Sequence, residues 1–343
     1  MTKPRSLRWI AALAVAASLL VLPAAAQATL AFVRNPLQPV VFVANDDGSG
    51  AHKLDAGTSP RVSPDGQTVI YFHEGPGHAQ EMKAASPSGG ASRTLVAAWQ
   101  ETSVLAFSPD SKTLAALRGP EIGKRKLVLV DIASGAQRVI ASGFFGGVSF
   151  SPSGTELVYS RAPNDRFPPR SDVFRVAAAD GKPVRLTRDG ISQDPLWGPN
   201  EQIVFCKLIE AKKRRYGPKS ELFLMNPQGK GVKRLTHTKV GALLLGLFPT
   251  DWSPNGNRLL AEFEGQDTSY AVAVNPRTGA QRPIQKTGEV GFVATSLSAD
   301  GNTVLGFSGG FEPGPNHTVA TVPYTGGKLT VLAKNAFQPD WSR

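Results

Sequence analysis

Short apolar runs, separated by turn residues, recur along most of the chain. Residues 68–72, 113–117 and 156–160 are examples, and their length and their content of Val, Leu, Ile, Tyr and Phe are typical of β-strands. A turn signature precedes each of them. The pattern therefore predicts an all-β protein.

The turn signature reads Ser-Pro-Asp-Gly at 63–66, and related copies start at Ser108, Ser151, Gly198, Ser253 and Ser298. The second positions of successive copies are 45, 43, 47, 55 and 45 residues apart, which fits units of four short strands. Proline pre-sets the backbone of the first turn position, Asp or Asn accepts bonds from nearby amides, and Gly accepts a positive φ. We therefore expect each unit to be a four-stranded meander.

A large apolar side chain lies two residues before the second turn position of each unit. We expect these side chains to fill the space between neighbouring sheets. They are Val62, Phe107, Phe150, Trp197, Trp252, Leu297 and, at the C-terminus, Trp341.

Two units end in a basic residue followed by Leu and Thr, at 185–187 and 234–236. With the turn signature, this ending resembles the WD40-like repeats of the TolB propeller family. The resemblance covers nearly the whole chain after residue 28 and implies a β-propeller. It says little about function, because one fold hosts many functions.

The first unit lacks its first strand, since 30–33, 40–43 and 51–54 match second, third and fourth strands. Residues 337–342 match the missing first strand. We therefore predict seven four-stranded blades, closed by pairing of the N- and C-terminal strands, which removes exposed sheet edges. Six blades, the number in TolB, is the alternative.

Residues 1–28 are typical of a secretory signal, with an apolar core at 10–21 and a small-residue cleavage site at 26–28. The basic residues that open it are Lys3, Arg5 and Arg8. A retained transmembrane anchor is the alternative. We expect a signal peptide at 1–28, one propeller domain at 29–343, and a periplasmic or secreted protein.

The positive charge of the chain is concentrated in one stretch. The net charge is +11, and removal of the signal, which has three cations and no acid, leaves +8. Residues 207–239 alone carry an excess of +8, with ten Lys or Arg against Glu210 and Glu221. Such a basic sector indicates a particular acidic contact.

Long insertions fall almost entirely on one face of the predicted ring, in the second-to-third hairpins and the connections between blades. Loops longer than a connection requires usually carry function, so we expect the site on this long-loop face. The insertions are 73–80, 163–171, 210–220, 237–250 and 308–317.

A basic hairpin beside an apolar connection is the main candidate site. We predict that it binds an envelope or secreted protein, an anionic polymer or a lipid surface. The alternative is a solvated hairpin tip, with the leucines extending the next inner strand. The candidate residues are Lys212, Lys213, Arg214, Arg215, Tyr216 and Lys219 in the hairpin, and Leu244, Leu245 and Phe248 in the connection.

Polar residues before the large apolar position are expected to line the central channel, as a second possible ligand site. Arg61 and Asp340 lie in adjacent predicted blades and are expected to pair. The channel-lining residues are Arg61, Ser149, Asp251, Ser296 and Asp340.

No metal or cofactor is predicted. Oligogalacturonate lyases, seven-bladed propellers of similar repeat type, hold a metal with clustered histidines and act on acidic sugars. The four loop histidines here are dispersed instead. They are His73, His78, His237 and His317.

The leading hypothesis is a monomeric, non-catalytic, exported propeller that binds a protein or an anionic envelope polymer through the long-loop face. The alternative is a polysaccharide lyase-like enzyme with its site at the channel mouth. No nucleic-acid motif and no nucleophile elbow occurs in the sequence, and the single cysteine, Cys206, excludes an internal disulfide.

The secretory signal leads to a first prediction. The mature chain should begin within about two residues of Thr29, because small residues occupy the positions that a signal peptidase requires. N-terminal sequencing of exported protein measures this. Recovery of the intact N-terminus from the membrane fraction would contradict it.

Overall fold

The computed structural model describes residues 28–75, 80–99, 104–120, 123–164, 170–210, 217–241, 244–265, 268–285, 292–309 and 316–342. Within these ranges the secondary structure is β-strand and turn, and no helix is present. A helix long and apolar enough to cross a membrane is accordingly not found in them.

The described residues form 27 strands. In chain order they are β1 (Thr29–Arg34), β2 (Val40–Asn45), β3 (His52–Ala56), β4 (Thr58–Val62), β5 (Val69–Glu74), β6 (Gln80–Ala85), β7 (Arg93–Trp99), β8 (Val104–Phe107), β9 (Thr113–Arg118), β10 (Arg125–Asp131), β11 (Gln137–Phe150), β12 (Glu156–Ala162), β13 (Asp172–Ala177), β14 (Val184–Arg185), β15 (Ser192–Trp197), β16 (Ile203–Ile209), β17 (Lys219–Met225), β18 (Lys233–Arg234), β19 (Leu244–Trp252), β20 (Leu259–Gly265), β21 (Ser269–Val274), β22 (Gln281–Pro283), β23 (Val293–Leu297), β24 (Thr303–Ser308), β25 (Thr318–Pro323), β26 (Thr330–Lys334) and β27 (Ala336–Trp341).

Successive strands pair antiparallel into four-stranded units. Unit 1 has the order β27-β1-β2-β3, unit 2 is β4 to β7, and unit 7 is β23 to β26. Units 3 (β8 to β11) and 4 (β11 to β14) share β11, which pairs with β10 through its first half and with β12 through its second. Units 5 (β15 to β18) and 6 (β19 to β22) are joined by a parallel bridge between Ser220 and Gly246. The all-β class is confirmed, whereas the number of blades stays a prediction.

The two ends of the described chain meet in unit 1. Strand β27 pairs with β1, with Trp341 opposite Leu30 and Ala336 opposite Arg34. The Thr29 N–H donates to Ser342 Oγ, and the Ser342 N–H donates to the Thr29 carbonyl, both at 2.9 Å. The predicted pairing of the N- and C-terminal strands is therefore confirmed.

The repeated turn is held by the bonds that its residue types predict. Ser63 Oγ donates to Asp65 Oδ1 and accepts from the Thr68 N–H, while Gly66 adopts φ +69°. In the second copy Ser111 takes that left-handed position at φ +62°, and its hydroxyl accepts a bond from the Asp65 N–H of unit 2. The contact between units thus helps to hold a conformation that serine rarely adopts.

Apolar clusters fill the space between successive units. One joins Ile70 and Met82 of unit 2 to Leu114 of unit 3, and another joins Leu305 of unit 7 to Phe32 of unit 1. The first and last units are therefore neighbours, as closure requires.

The tryptophans also bond across these junctions. Trp252 Nε1 donates to the Leu196 carbonyl of unit 5 at 3.4 Å, and Trp341 Nε1 donates to the Leu297 carbonyl of unit 7 at 3.1 Å. Both side chains are buried in the clusters between units. The expected role of these positions as filling between sheets is confirmed for both.

Closure by β27 leads to a second prediction. Removal of residues 337–343 should lower the free energy of unfolding by several kcal/mol, since truncation of a buried Trp such as Trp341 alone costs about 3–5 kcal/mol. Chemical denaturation of the full-length, truncated and Trp341→Ala proteins measures this. Leu37→Ala is the matched control, because Leu37 is 91% exposed and its loss should cost little. A truncated protein as stable as the full chain would contradict closure of this kind.

Candidate functional site

A cavity of about 720 Å³ opens where the inner strands end and the repeated turns begin. This end of the units lies opposite the long-loop face, because consecutive hairpins of a meander leave by opposite edges. Prolines of the turns and large apolar side chains of the strand ends form most of its wall. They include Pro64, Pro109, Pro152, Pro199, Pro254, Phe107, Phe150, Trp197, Trp252 and Trp341.

Four of the five predicted channel-lining residues, Arg61, Ser149, Asp251 and Asp340, line this cavity. The last three also accept a hydrogen bond from a backbone N–H of the following unit. The bonds run from Val62 N–H to Asp340 Oδ2 (2.8 Å), from Trp197 N–H to Ser149 Oγ (3.1 Å) and from Leu297 N–H to Asp251 Oδ2 (2.7 Å). These side chains therefore link adjacent units, whatever ligand the cavity takes.

The remaining two channel residues differ in their surroundings. Arg61 Nη1 lies 3.7 Å from Asp340 Oδ1, so the expected ion pair is present, and the Arg61 side chain stays 43% exposed. Ser296 is buried, and its Oγ has no hydrogen-bond partner within the described part of the chain. Arg61 is thus the most accessible charge of this predicted set.

Only the two ends of the predicted basic hairpin belong to the part of the chain that the structure describes. Lys212, Lys213, Arg214, Arg215 and Tyr216 lie outside the described residues. Strand β16 ends at Ile209 before the hairpin, and β17 begins at Lys219 after it.

Lys219 is engaged within the protein. Its Nζ lies 2.7 Å from Glu221 Oε1 and donates to the Thr238 carbonyl at 2.8 Å. Arg234 Nη2 donates to the same Oε1 at 3.0 Å, and the Thr236 hydroxyl donates to Glu221 Oε2 at 2.6 Å. Glu221 is fully buried, so these partners offset the cost of burying its charge. The network anchors the base of the hairpin.

The apolar connection after the hairpin is an inner strand from Leu244 onwards, which corrects its interpretation as a loop. Leu247 is fully buried, and Phe248 packs against the apolar cluster between units 5 and 6. Leu245 is 40% exposed and remains available on the surface. The backbone of Leu244 belongs to the strand, but its side chain is not among the described ones. Burial of Leu247, Phe248 and Trp252 in the cluster shared with unit 5 stabilises the strand.

Interior carboxyl groups were not anticipated from the sequence. Asp194 Oδ1 accepts a bond from the Gly147 N–H of unit 4 at 2.8 Å, and Cys206 Sγ donates to Oδ2 at 3.7 Å. Burial raises the pKa of Asp194 and, well above its ordinary value, that of the Cys206 thiol. Burial, and then the charge of Asp194, raises the pKa of Glu264.

Glu262 links unit 6 to unit 7. It accepts bonds from the Ser269 hydroxyl and from the Ala294 N–H. Burial raises its pKa to about 8. The sequence does carry a signal for it, an acidic residue inside the apolar run 259–263.

The described loop histidines do not converge. The His73 Nδ1–H donates to the Ala56 carbonyl, His237 is exposed, and His317 is buried between the rings of Phe307 and Phe337. His78 lies outside the described residues. Across the described ranges, no three His, Cys, Asp or Glu side chains are grouped so that they could hold a metal ion.

Comparison of structures identifies the fold. TolB from Acinetobacter baumannii aligns with a TM-score of 0.57 and 14% identity, over 91% of this chain and 82% of that chain. An oligogalacturonate lyase in complex with manganese aligns with a TM-score of 0.59 and 14% identity, over 90% and 85%. The β-propeller domain of the Trilobed protease from Pyrococcus furiosus aligns with a TM-score of 0.63 and 14% identity, over 90% and 92%.

The chain therefore has a TolB-type β-propeller fold, as its repeats predict. No protein-family model matches its sequence. No curated protein matches it either. At these identities the likeness shows the fold alone, and the similar structures include both an enzyme and TolB.

The burial of Glu262 leads to a third prediction. A carboxyl group with a pKa of about 8 in the folded state and about 4.5 in the unfolded state holds its proton more tightly when folded. The free energy of unfolding should therefore fall as pH rises between these values, by up to about 1.4 kcal/mol per pH unit. Glu262→Gln should flatten this slope.

Urea denaturation at several pH values between 5 and 8 measures the slope. The matched control is Glu210→Gln, because Glu210 is exposed and its substitution should leave the slope unchanged. If Glu262→Gln keeps the parent's slope, Glu262 is not the group responsible.

Proposed function

We propose that this propeller is exported, acts as a monomer without catalysis, and binds a protein or an anionic envelope polymer through its long-loop face. The proposed contact residues are Lys212, Lys213, Arg214, Arg215 and Tyr216 of the basic hairpin, together with the exposed Leu245 of β19. The secretory signal at 1–28 supports export.

The observation that carries this proposal is the way the basic sector is neutralised. Asp189 pairs with Lys207, and Glu221 pairs with Lys219 and Arg234. Lys207 and Lys219 lie on the two strands that flank the hairpin, and Arg234 lies on β18, which pairs with β17. The excess charge of the sector therefore falls on its other cations, four of which follow one another at the tip. Such a cluster attracts an anionic surface.

The Glu221 network also favours tighter binding of an anionic partner by the hairpin cations. Glu221 holds Lys219, Arg234 and Thr238 together at the β17 end of the hairpin, and Ile209 at the β16 end pairs with Lys219. A contact surface that is partly ordered beforehand loses less conformational entropy on binding. The network therefore supports a binding role for a hairpin that is longer than the fold requires.

A lyase-like enzyme is the second candidate, favoured by the raised pKa values of Asp194 and Glu264. Interior acids of this kind are common at catalytic sites. Neither residue lines the cavity at the turn end, however, and Asp194 accepts a structural bond from unit 4. Release of unsaturated product from polygalacturonate, followed by ultraviolet absorbance and lost in Glu264→Gln, would favour the enzyme.

The basic hairpin leads to a fourth prediction. Replacing Lys212, Lys213, Arg214 and Arg215 by Ser should sharply weaken binding to anionic envelope polymer or anionic vesicles. Attraction between exposed charges is screened beyond about 8 Å at physiological salt, so parent binding should also weaken as salt rises. Co-sedimentation at low and high salt measures both effects.

The control removes the same charge elsewhere. Lys53, Lys126, Arg138 and Lys334 are exposed, and their replacement by Ser should leave binding close to that of the parent. Both variants should fold normally, since surface substitutions shift stability by about 0.5 kcal/mol or less. A hairpin variant that binds as tightly as the parent, with the same salt slope, would show that the hairpin is only a solvated surface.

A further inference from the structure

A second groove lies on the turn side of the protein, between units 5 and 6, away from the long-loop face. It has a volume of about 470 Å³ and opens to solvent. The β15–β16 and β17–β18 turns form one wall, and the β19–β20 and β21–β22 turns form the other. The groove therefore belongs to a junction between units and is separate from the central cavity.

The groove is lined by cations and side-chain amides. Lys230, Lys233 and Arg277 line it, and no Asp or Glu is among the described residues of its wall. Arg277 is oriented by its Nη2, which donates to Asn257 Oδ1 at 3.3 Å. The amides that accompany these cations are Asn200, Gln202, Asn226, Asn255 and Asn257.

The groove lacks acids in part because the two repeated turns that border it do not have the Asp found in other copies. The third position of the repeated turn is Asp at Asp65, Asp110 and Asp300 and Ser at Ser153, but it is Asn at Asn200 and Asn255, the two turns that border the groove. In the Asp300 copy, the hydrogen bond from the Ser298 hydroxyl lowers the pKa of the carboxyl to about 2, so that copy is charged.

In the turn that contains Asn255, the substitution leaves the bonds of the turn unchanged. Asn255 Oδ1 accepts from the Ser253 hydroxyl and the Asn257 N–H, as Asp65 Oδ1 accepts from the Ser63 hydroxyl and the Gln67 N–H. The turn therefore does not need the amide, and the amide removes a negative charge from the groove.

We propose that this groove binds an anionic sugar, with Lys230, Lys233 and Arg277 holding its phosphate or carboxylate group. The amides of Asn200, Gln202 and Asn257 then bond its hydroxyls, because amides offer both donors and acceptors. The volume suits one to three sugar rings, toward the small end of ligand pockets. This site is independent of the proposed contact through the hairpin at 211–216.

Calorimetric titration of the full mature chain at low salt tests the proposal. The probes are glucose 6-phosphate and trigalacturonic acid as anionic sugars, maltotriose as a neutral sugar, and inorganic phosphate as an anion without a ring. We expect at least one anionic sugar to bind more tightly than both maltotriose and phosphate. The anionic sugar with the higher affinity, glucose 6-phosphate or trigalacturonic acid, shows whether the groove prefers a phosphate or a carboxylate group.

Two variants locate the site. Lys230→Gln, Lys233→Gln and Arg277→Gln combined should weaken binding about tenfold or more. The matched control changes three exposed cations in other turns of the same side, Lys112→Gln, Lys182→Gln and Lys328→Gln, and should keep the parent affinity.

The second variant, Asn255→Asp, restores the acidic residue found in three other copies of the turn. It should keep the melting temperature while weakening the binding of the anionic sugar, because both bonds to Oδ1 of residue 255 survive and the added carboxylate repels the ligand. Loss of affinity without loss of stability is an outcome that a purely structural role for Asn255 would not give.

The proposal is overturned if neither anionic sugar binds more tightly than maltotriose, or if the groove variant and its control bind alike. The hairpin variant at 212–215 should retain the sugar affinity of the parent. Failure of this proposal and failure of the proposed function are therefore distinguishable.

Discussion

The unpaired edge of the inner strands is the constraint on which this structure depends. Strands β4, β15 and β23 each end a sheet or a unit, so part of their backbone N–H groups lack a ladder partner. Asp340, Ser149 and Asp251 of the preceding units accept bonds from these groups. One bond therefore satisfies the edge and fixes the next unit beside it. The same side chains border the central cavity, so the shape of that cavity and the arrangement of the units are set together.

The fold could be predicted because its determinants are local and repeated. The turn at 63–66 and its copies contain the residues that close it, and the partial units at the two ends indicate that they complete each other. The apolar run at 244–248 was harder, since a short run of this kind fits an inner strand or an exposed loop equally well. Its assignment depends on residues far along the chain, since Leu244 pairs with Gly265 and Leu247 with Phe263 of β20, and Gly246 bridges to Ser220 of unit 5. Periodicity within the run does not contain that information.

The candidate site residues, too, could be predicted only in part, because their contacts come from neighbouring units. The sequence places Asp251 and Asp340 before a large apolar residue, but it does not show that each accepts a bond from the next unit. Glu262 stands out as an acid within an apolar strand, yet its partner Ala294 lies in the following unit. Asn200 and Asn255 are visible as departures from the repeat. Only the packing of units 5 and 6 shows that both border one groove with Arg277.

Strand β11 has a consequence for how the protein tolerates rearrangement. It runs without a break from Gln137 to Phe150 and completes unit 3 before it begins unit 4. Elsewhere a surface segment usually separates one unit from the next, and such segments are where chains accept new termini or inserted domains. Between units 3 and 4 no surface segment of this kind exists, because β11 passes directly from one unit to the next. Circular permutation or domain insertion at this junction would cut two sheets at once, so units 3 and 4 behave as one inseparable block in any rearrangement of the repeats.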